Sequence, residues 1–222
     1  MRKIFIVMLS LFLFCITVYA EPNHLIYNGN EKSNKIYLTF DDGYSQRNTL
    51  LILDTLERYD IPATFFIEGQ FMQENPVAVK RIAEEQILAN HTMCHCDITK
   101  LTNDEFISDI KEFEELAYSI TGKEITKFFR PPMGYINEEK EKLLYDMGYM
   151  IFMWNVKIYD YVHNDDKGVD YVVNNIVKRV KNGSIILMHT LTDSNANALP
   201  IVIERLIGLG YEFSSLMDFK KD

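Results

Sequence analysis

The sequence has few cysteines and few basic residues for its length. Its 222 residues include three cysteines, Cys15, Cys94 and Cys96. The last two, one residue apart, do not make the disulfide framework of a small secreted protein, and a bridge between them would be strained. Lys and Arg number 23 against 32 Asp and Glu, giving a formal net charge of −9. This excess of acid argues against nucleic acid as a partner, because phosphate binding needs basic patches.

Glycine-rich nucleotide motifs, internal repeats and low-complexity segments are also missing. Neither a G-x-G-x-x-G nor a P-loop sequence follows an apolar strand pattern. An open sheet that binds a nucleotide is therefore disfavoured. After the N-terminal segment, no run is long and apolar enough to span a membrane.

One long apolar run is present, at the N-terminus. Basic residues precede an apolar stretch over residues 4–18, and the small residue Ala20 follows it. This order predicts a secretory signal peptide over residues 1–20. The alternative is an uncleaved signal anchor, although the stretch is short for a membrane span. We therefore expect a secreted or cell-envelope-associated protein.

The rest of the chain divides into a short arm and one domain. Residues 21–34 are polar with Asn and Gly, which predicts an N-terminal linker. Residues 35–222 are enough for one domain with a full core.

Apolar strand patterns alternate with helical patterns from Lys35 onward. Strands are predicted at 35–40, 63–69, 87–90, 127–132, 149–156, 184–190 and 211–216. Helices are predicted at 47–59, 75–86, 137–147, 169–180 and 198–208, with a longer one from a T-x-x-E capping box at Thr102 to Gly122. Such alternation gives parallel βαβ units, about seven of them. Because no nucleotide-binding motif is present, a closed, barrel-like α/β fold is favoured over an open sheet, although the periodicity alone does not separate the two.

Chemically active side chains follow the predicted strands at the point where each strand ends. The groups at these points are Asp41-Asp42-Gly43, His91 with His95, Arg130-Pro131-Pro132-Met133-Gly134, Asp160-Tyr161, and His189. Taken alone, each has a structural explanation, such as a turn-forming Asp or a buried His. In an α/β barrel, however, the carboxyl ends of the strands share one rim, where the chemistry lies. Their joint placement therefore predicts a site.

His91 and His95 are spaced for one metal ion. Four residues on a helical turn put two imidazoles on one side, and a carboxylate from elsewhere would complete a three-ligand site with open positions. Asp42 is the natural candidate for that carboxylate. Two imidazoles and one carboxylate suit a divalent ion such as zinc, with cobalt, nickel or iron as alternatives that the sequence does not separate.

Cys94 and Cys96 flank His95 and raise the possibility of a closed site. Because His95 and Cys96 are neighbours, their side chains diverge, and four ligands from this short loop are sterically poor. We interpret the two cysteines as small packing residues. Two thiols beside a metal would still make the site sensitive to oxidation.

These strand-end residues resemble the five motifs of the polysaccharide deacetylase family, the NodB-homology domain of carbohydrate esterase family 4. The motifs are Thr39-Phe40-Asp41-Asp42-Gly43, His91-Thr92-Met93-Cys94-His95, Arg130-Pro131-Pro132-Met133-Gly134, Asp160-Tyr161 and Leu187-Met188-His189. The resemblance covers residues 35–217. It implies a distorted (β/α)7 barrel and metal-dependent hydrolytic removal of N-acetyl groups from a glycan, with residues 35–222 as the catalytic domain.

The resemblance also implies roles for individual residues. Asp41 would be the general base, oriented by Arg130. His189 would be the general acid, oriented by Asp160. The implied metal ligands are Asp42, His91 and His95.

The implied substrate-binding positions include departures from the family. The backbone N–H of Met133 would serve the oxyanion hole, and Leu187 would line the pocket for the acetyl methyl. Met133 stands where the family usually has Tyr, and Tyr161 stands where it usually has Trp. Lys157 occupies a place that is often acidic, and Cys96 replaces a frequent proline. These changes put the family's typical chitin-like or N-acetylglucosamine substrate in doubt.

The C-terminal third is similar to one branch of the family, the delta-lactam-biosynthetic de-N-acetylases. The similar stretch is Thr190–Leu199. It implies action on peptidoglycan N-acetylmuramic acid after its peptide has been removed, and formation of the muramic δ-lactam of spore cortex. That branch often has Asn where this chain has Asp42. The alternatives are a deacetylase of glycans containing N-acetylglucosamine and a non-catalytic glycan-binding relative. A peptidoglycan strand is the expected partner, with no stable protein partner implied.

Overall fold

The computed structural model describes residues 24–162 and 165–219. The predicted signal peptide lies outside these ranges. Within them, no helix combines the length and the apolar character that a membrane crossing requires.

All strand pairs of the sheet are parallel apart from one isolated antiparallel bridge. The strands are β1 (Leu25–Ile26), β2 (Lys35–Asp42), β3 (Ala63–Ile67), β4 (Ile87–Asn90), β5 (Phe128–Phe129), β6 (Met150–Phe152), β7 (Val156–Lys157), β8 (Ile185–His189) and β9 (Glu212–Phe213). Their order is β1-β6-β5-β4-β3-β2-β8-β7, and β9 pairs with the start of β2.

The helices connect the strands and contact one another in a continuous series. They are α1 (Gln46–Tyr59), α2 (Gly69–Glu74), α3 (Pro76–Glu85), α4 (Asn103–Thr121), α5 (Glu138–Asp146), α6 (Val169–Val177) and α7 (Asp193–Gly208). Neighbours in space follow the order α6, α7, α1, α3, α4, α5. Short 3₁₀ turns lie at Ile98–Lys100, Pro132–Gly134 and Leu216–Asp218.

The sheet curls on itself, as the link between β6 and β7 requires. These strands stand near opposite ends of the strand order, yet only residues 153–155 join them. In a flat sheet the two would lie about 30 Å apart, since neighbouring strands are about 4.8 Å apart. Three linking residues span about 14 Å at most. The predicted distorted (β/α)7 barrel is thus confirmed.

The segment before β2 helps to close the gap between the sheet edges. β1 pairs with β6, and the backbone N–H of Gly29 donates to the carbonyl of Gly183 at 2.7 Å, just before β8. Gly183 has a left-handed φ of 75°, and a side chain there would collide with the backbone of Gly29. The prediction of a linker over 21–34 is therefore wrong for Leu25–Ile26, which form part of the sheet.

Side chains of the central strands alternate between the barrel interior and the helices. In β2, residues 36, 38 and 40 join the large core against the helices. Residues 37, 39 and 41 face the interior, where Tyr37 packs against aromatic side chains of other strands. This two-residue period carries Asp41 to the interior at the carboxyl end of the strand.

Helix α2 was not predicted, and most of the remaining differences from the predicted elements lie at their ends. The strand predicted at 127–132 is reduced to Phe128–Phe129, because Pro131 and Pro132 have no N–H for a ladder. The strand predicted at 149–156 is divided between β6 and β7. Helix α7 starts at Asp193, before the predicted 198, because Thr192 caps it. The capping box at Thr102 is present, with both of its hydrogen bonds.

Candidate active site

Asp41 and Arg130 form a buried ion pair at the carboxyl ends of the strands. Arg130 Nη1 donates to Asp41 Oδ1 at 2.7 Å and to Thr39 Oγ1 at 2.9 Å. Burial favours the neutral form of Asp41, but the Arg130 guanidinium, with His91 and His189, outweighs burial and lowers the pKa of that carboxyl. Asp41 is therefore ionised at neutral pH.

The guanidinium of Arg130 is held on all sides. Nε donates to the carbonyl of Phe152 at 3.0 Å, and Nη2 donates to the carbonyl of Met153 at 2.9 Å. The guanidinium carbon lies 4.1 Å from the centroid of the Phe66 ring. The side chain is completely buried. A planar cation with these partners has one orientation, so it positions Asp41.

His189 lies beside Asp41 in the sheet and is held by Asp160. His189 Nδ1 is 2.7 Å from Asp160 Oδ1, and its backbone N–H donates to Asp160 Oδ2 at 3.1 Å. Asn195 Nδ2 donates to Asp160 Oδ2 at 2.7 Å and to the carbonyl of His189 at 2.8 Å. Burial disfavours the imidazolium, but the hydrogen bond and charge of Asp160 outweigh it and raise the pKa of His189. Asp160 thus binds Nδ1 and leaves Nε2 for chemistry.

A cavity of about 420 Å³ lies over Asp41 and His189. The rings of Tyr44 and Tyr161 flank His189, with centroids 6.0 and 5.9 Å from its own. The other lining residues are His95, Met133, Tyr135, Trp154, Lys157 and Leu187. The volume falls within the range of small-molecule sites, about 300–1,000 Å³. The aromatic lining suits the faces of a sugar ring.

His91 and His95 meet on the loop after β4. Their ring centroids are 5.0 Å apart, and His91 Nε2 is 3.6 Å from Asp41 Oδ2. The carbonyl of Arg130 accepts from His91 Nδ1 at 2.7 Å, so the neutral ring presents the lone pair of Nε2. Burial lowers the pKa of His91 to about 4 and also lowers the pKa of His95. Both imidazoles are therefore neutral, the form that binds a metal.

Left-handed backbone is concentrated at this loop and at Met133. Thr92, His95 and Met133 have φ values of 71°, 51° and 57°. Such values cost free energy in residues other than glycine, most of all in a β-branched residue such as Thr92. The loop is braced, since Thr92 Oγ1 accepts from the backbone N–H of His95 at 3.0 Å and both carboxylate oxygens of Asp109 accept from Met93. The strain thus coincides with two of the predicted site segments, the histidine loop and the turn that contains Met133.

Asp42 does not join the two histidines. It points toward α1, where Thr49 Oγ1 donates to its Oδ2 at 2.7 Å, and Thr190 Oγ1 donates to its Oδ1. Burial raises the pKa of Asp42 to about 6, and these two hydroxyls only partly oppose that rise. In residues 24–162 and 165–219, no three His, Cys, Asp or Glu side chains are grouped as metal ligands.

The donor set therefore fits a divalent cation in part. The paired neutral imidazoles of His91 and His95 suit one ion, and the carbonyl bound to His91 Nδ1 is the kind of outer partner that orients a ligating histidine. Asp42, with both oxygens engaged by hydroxyls, would have to turn to complete the set. Its assignment as the third ligand stays a prediction.

Cys94 and Cys96 are free thiols, the first exposed and the second half-buried. Burial, followed by the hydrogen bond from Cys94, raises the pKa of Cys96 to about 12. The geometry agrees with packing rather than ligation for Cys96, whereas Cys94 does not pack in the core.

Several supporting residues escaped the sequence analysis. Asn195 holds Asp160, and Asp109 holds the histidine loop. Thr39 accepts from Arg130 and lies in the first motif, but it had no assigned role. Glu68 follows β3, and burial together with the charges of Asp42 and Asp41 raises its pKa to about 7. A sequence signal exists for Thr39, in the first motif, and for Asn195, in the similar stretch Thr190–Leu199; Asn and Thr in such places otherwise resemble ordinary capping residues.

The barrel and the groups at the carboxyl ends of its strands define a family. The sequence model of the family described as polysaccharide deacetylase matches residues 28–152. The chain therefore belongs to the polysaccharide deacetylase family, as its motifs predict.

The chain is similar to the peptidoglycan-N-acetylmuramic acid deacetylase PdaA of Bacillus subtilis (strain 168). The two are 37% identical over 205 residues, which cover 91% of this chain and 78% of PdaA. A structure of Bacillus subtilis PdaA, described as a family 4 carbohydrate esterase, superposes with a TM-score of 0.85 at 36% identity and covers 88% of this chain and 84% of that one.

Other relatives differ in what they are described as doing. A peptidoglycan-N-acetylglucosamine deacetylase of Bacillus cereus (strain ATCC 14579) is 34% identical over 89% of this chain and 72% of its own. A crystal structure described as a CE4 family pseudoenzyme from Bacillus anthracis superposes with a TM-score of 0.82 at 26% identity, covering 88% of this chain and 68% of that one. Membership of the family therefore leaves the substrate to be argued separately.

Proposed function

We propose that the chain removes the N-acetyl group from N-acetylmuramic acid in peptidoglycan whose stem peptide has been cleaved. The similarity to PdaA over 91% of the chain is the observation that carries this proposal. The freed amine then closes on the lactyl carboxyl to give muramic δ-lactam. Under this proposal the protein acts at the cell envelope in the formation of the spore cortex. The predicted signal peptide of residues 1–20 would direct its export there.

Asp41 acts as the general base. Its carboxylate is ionised and held by Arg130, and its Oδ2 faces His91 at 3.6 Å. A water molecule in the cavity beside Asp41 gives a proton to this carboxylate as its oxygen attacks the acetyl carbonyl. Arg130 keeps the carboxylate ionised and oriented.

His189 acts as the general acid. The departing amine must be protonated, and the pKa of His189 is raised by Asp160, so its imidazolium form persists to higher pH. Because Nδ1 is bound to Asp160, Nε2 gives the proton.

Met133 and Leu187 shape the acyl pocket. The tetrahedral oxyanion needs a fixed donor, which we assign to the backbone N–H of Met133 in its left-handed turn. Leu187 is buried in the cavity wall one layer below His189, and its side chain receives the acetyl methyl. Tyr161 contacts the sugar.

His91 and His95, with Asp42 as third ligand, would hold a divalent cation, for which zinc is our first assignment. When bound, such an ion polarises the acetyl carbonyl and lowers the pKa of a bound water to about 7.

The proposal is tested by acetate release from peptidoglycan stripped of stem peptides by an amidase, with mass spectrometry of the product. We expect acetate, together with the further loss of one water that marks the lactam. Acetate without that loss would assign ring closure to another enzyme. No release from this substrate would overturn the proposal.

Two rival functions are separated by the same assay. Similarity to the Bacillus cereus N-acetylglucosamine deacetylase supports the first rival, which predicts acetate from chito-oligosaccharides rather than stripped strands. Similarity to a pseudoenzyme supports the second, a glycan-binding protein that releases no acetate from either. The ionised Asp41 and the Asp160-His189 pair speak against the second rival.

A further inference from the structure

Lys157 stands out in the cavity because of its charge. Among the described residues that line the cavity, it is the only lysine or arginine. Arg130 lies nearby, but it is completely buried and its donors are used by Asp41, Thr39 and main-chain carbonyls. Lys157 is therefore the cavity's available permanent cation, in a protein whose formal net charge is −9.

The sheet register places Lys157 one layer below the catalytic pair. In β7 its partner is Leu187 of β8, and Asp41 pairs with His189 two residues further along. Two residues of strand correspond to roughly 6.6 Å. The flanking residues Val156 and Ile158 pack in the core against the helices, so Lys157 projects into the interior.

The ammonium group of Lys157 lies beside aromatic rings. Nζ lies 5.5 Å from the centroid of the Trp154 ring and 5.8 Å from that of Tyr159. Within the part of the chain that the structure describes, Lys157 takes part in no ion pair. Its carbonyl accepts from Arg179 at 2.7 Å, which anchors the strand. Because the effective dielectric constant is lower at a half-buried site than in bulk water, the attraction between this cation and an incoming anion is stronger there than at an exposed lysine.

The proposed substrate carries one such anion. N-acetylmuramic acid and N-acetylglucosamine share the acetamido group, so the residues that handle the acetyl group cannot separate them. They differ in the lactyl ether, which ends in a free carboxylate once the stem peptide is removed. In peptide-bearing strands the same carbon is a neutral amide.

We propose that Lys157 binds the lactyl carboxylate and thereby selects peptide-free N-acetylmuramic acid. This inference rests on the proposed function. It assigns specificity to an ion pair inside the cavity, made only after amide cleavage has freed the carboxylate. The reaction that supplies the substrate must therefore be an amidase step.

Lys157→Met tests this, because Met keeps the apolar stem without the charge. The assay compares kcat/KM on stripped strands, on the same strands with the lactyl carboxyl converted to a methylamide, and on chito-oligosaccharides. We expect kcat/KM of Lys157→Met on stripped strands, which carry the free carboxylate, to fall roughly tenfold or more, chiefly through KM. Its kcat/KM on the methylamide strands and on chito-oligosaccharides should change little. Lys157→Arg should retain most of the preference for the free carboxylate. Lys157→Glu should lose more kcat/KM on stripped strands than Lys157→Met does.

Lys127→Met is the matched control, since Lys127 also lies over a tyrosine ring, with Nζ 4.9 Å from the centroid of Tyr149, but outside the cavity. It should leave all three rates unchanged. If the wild type acts on stripped strands and Lys157→Met loses equally on the amidated strands, the inference is wrong while the proposed function stands. If the wild type releases no acetate from stripped strands, both are overturned.

Discussion

Asp41 and Asp42 are adjacent in β2, yet they belong to regions that are organised differently. Asp41 lies in a cluster with Arg130, and the Asp160-His189 pair completes the same hydrogen-bonded side of the cavity. Asp42 lies on the opposite face of the strand, among hydroxyls of α1 and the segment after β8. The pKa of the first carboxyl is lowered, whereas burial raises the pKa of the second to about 6.

The difference teaches which part of the chemistry the polypeptide fixes alone. The groups proposed for proton transfer are held by protein hydrogen bonds, so the proposed base and acid are pre-organised. The proposed cation site is incomplete, because the two histidines are paired whereas the third predicted ligand, Asp42, points toward α1. Substitutions in the first region should therefore act on folding and turnover, and those in the second on cation binding.

The largest effect is expected for Arg130→Met. It leaves the buried Asp41 unpaired and removes donors from two main-chain carbonyls. We expect the free energy of unfolding to fall by about 3–5 kcal/mol and activity to be lost, measured by urea unfolding and acetate release. Arg47→Met, which removes an exposed ion pair with Asp193, is the control and should change stability by less than about 1 kcal/mol. Equal stability of both variants would contradict a stabilising role for Arg130.

Asp41→Asn should separate turnover from cation binding. The amide cannot accept a proton, so kcat should fall by roughly 10²–10⁴ while cation stoichiometry is retained. Turnover and calorimetric titration with zinc measure the two properties. A near-normal rate would remove Asp41 as the base.

His95→Ala should remove cation and activity together. A direct ligand should cost at least about 100-fold in cation affinity, the upper end of what outer partners cost. Cys94→Ser, one residue away, is the control and should bind zinc as the wild type does. Stoichiometric zinc in His95→Ala would overturn the ligand assignment.

Asp42→Asn should stabilise the metal-free protein at alkaline pH. A pKa raised to about 6 means that Asp42 favours folding at low pH, and that this contribution is lost as the pH rises through 6. Asn carries no such penalty, and the hydroxyls of Thr49 and Thr190 can turn to accept from its amide. We expect a gain of about 1–3 kcal/mol at pH 8, shrinking toward pH 4, in urea unfolding with chelator. Asp41→Asn should show no such gain.

The smallest effect is a shift in the pH profile of Asp160→Asn. Asp160 raises the pKa of His189, so its loss should move the alkaline limb of kcat to lower pH. Asn195→Ala removes a hydrogen-bond donor to Asp160 but keeps the charge of Asp160. It should lower kcat while leaving the alkaline limb of the pH profile at nearly the same pH. An unchanged limb in Asp160→Asn would argue against His189 as the acid.

Much of the architecture could be predicted because it depends on local signals. Alternating patterns predicted the parallel βαβ units, and the resemblance to the family implied the distorted barrel. The strand ends predicted the rim on which Asp41, His91, Arg130 and His189 meet. Capping chemistry predicted the start of α4 at Thr102.

The rest depends on contacts that no short pattern contains. Leu25–Ile26 were predicted as part of the linker, since a two-residue strand can be recognised only beside its partner β6. Motif spacing alone could not reveal that Asp42 faces Thr49. The direction of the Asp42 side chain depends on the pleat at the end of β2. Asn195 and Asp109 hold other residues through side-chain bonds, and those partners are distant in sequence.

Arg130 also constrains how this chain can change over generations. Its side chain donates to Asp41, the proposed base, and its carbonyl accepts from His91, a proposed cation ligand. One codon therefore serves both halves of the proposed reaction and, we expect, the stability of the barrel. Drift at exposed positions such as Met133 or Tyr161 can redirect substrate choice step by step, whereas a lineage that abandons catalysis while keeping the fold should lose ligands or acids long before it loses this arginine.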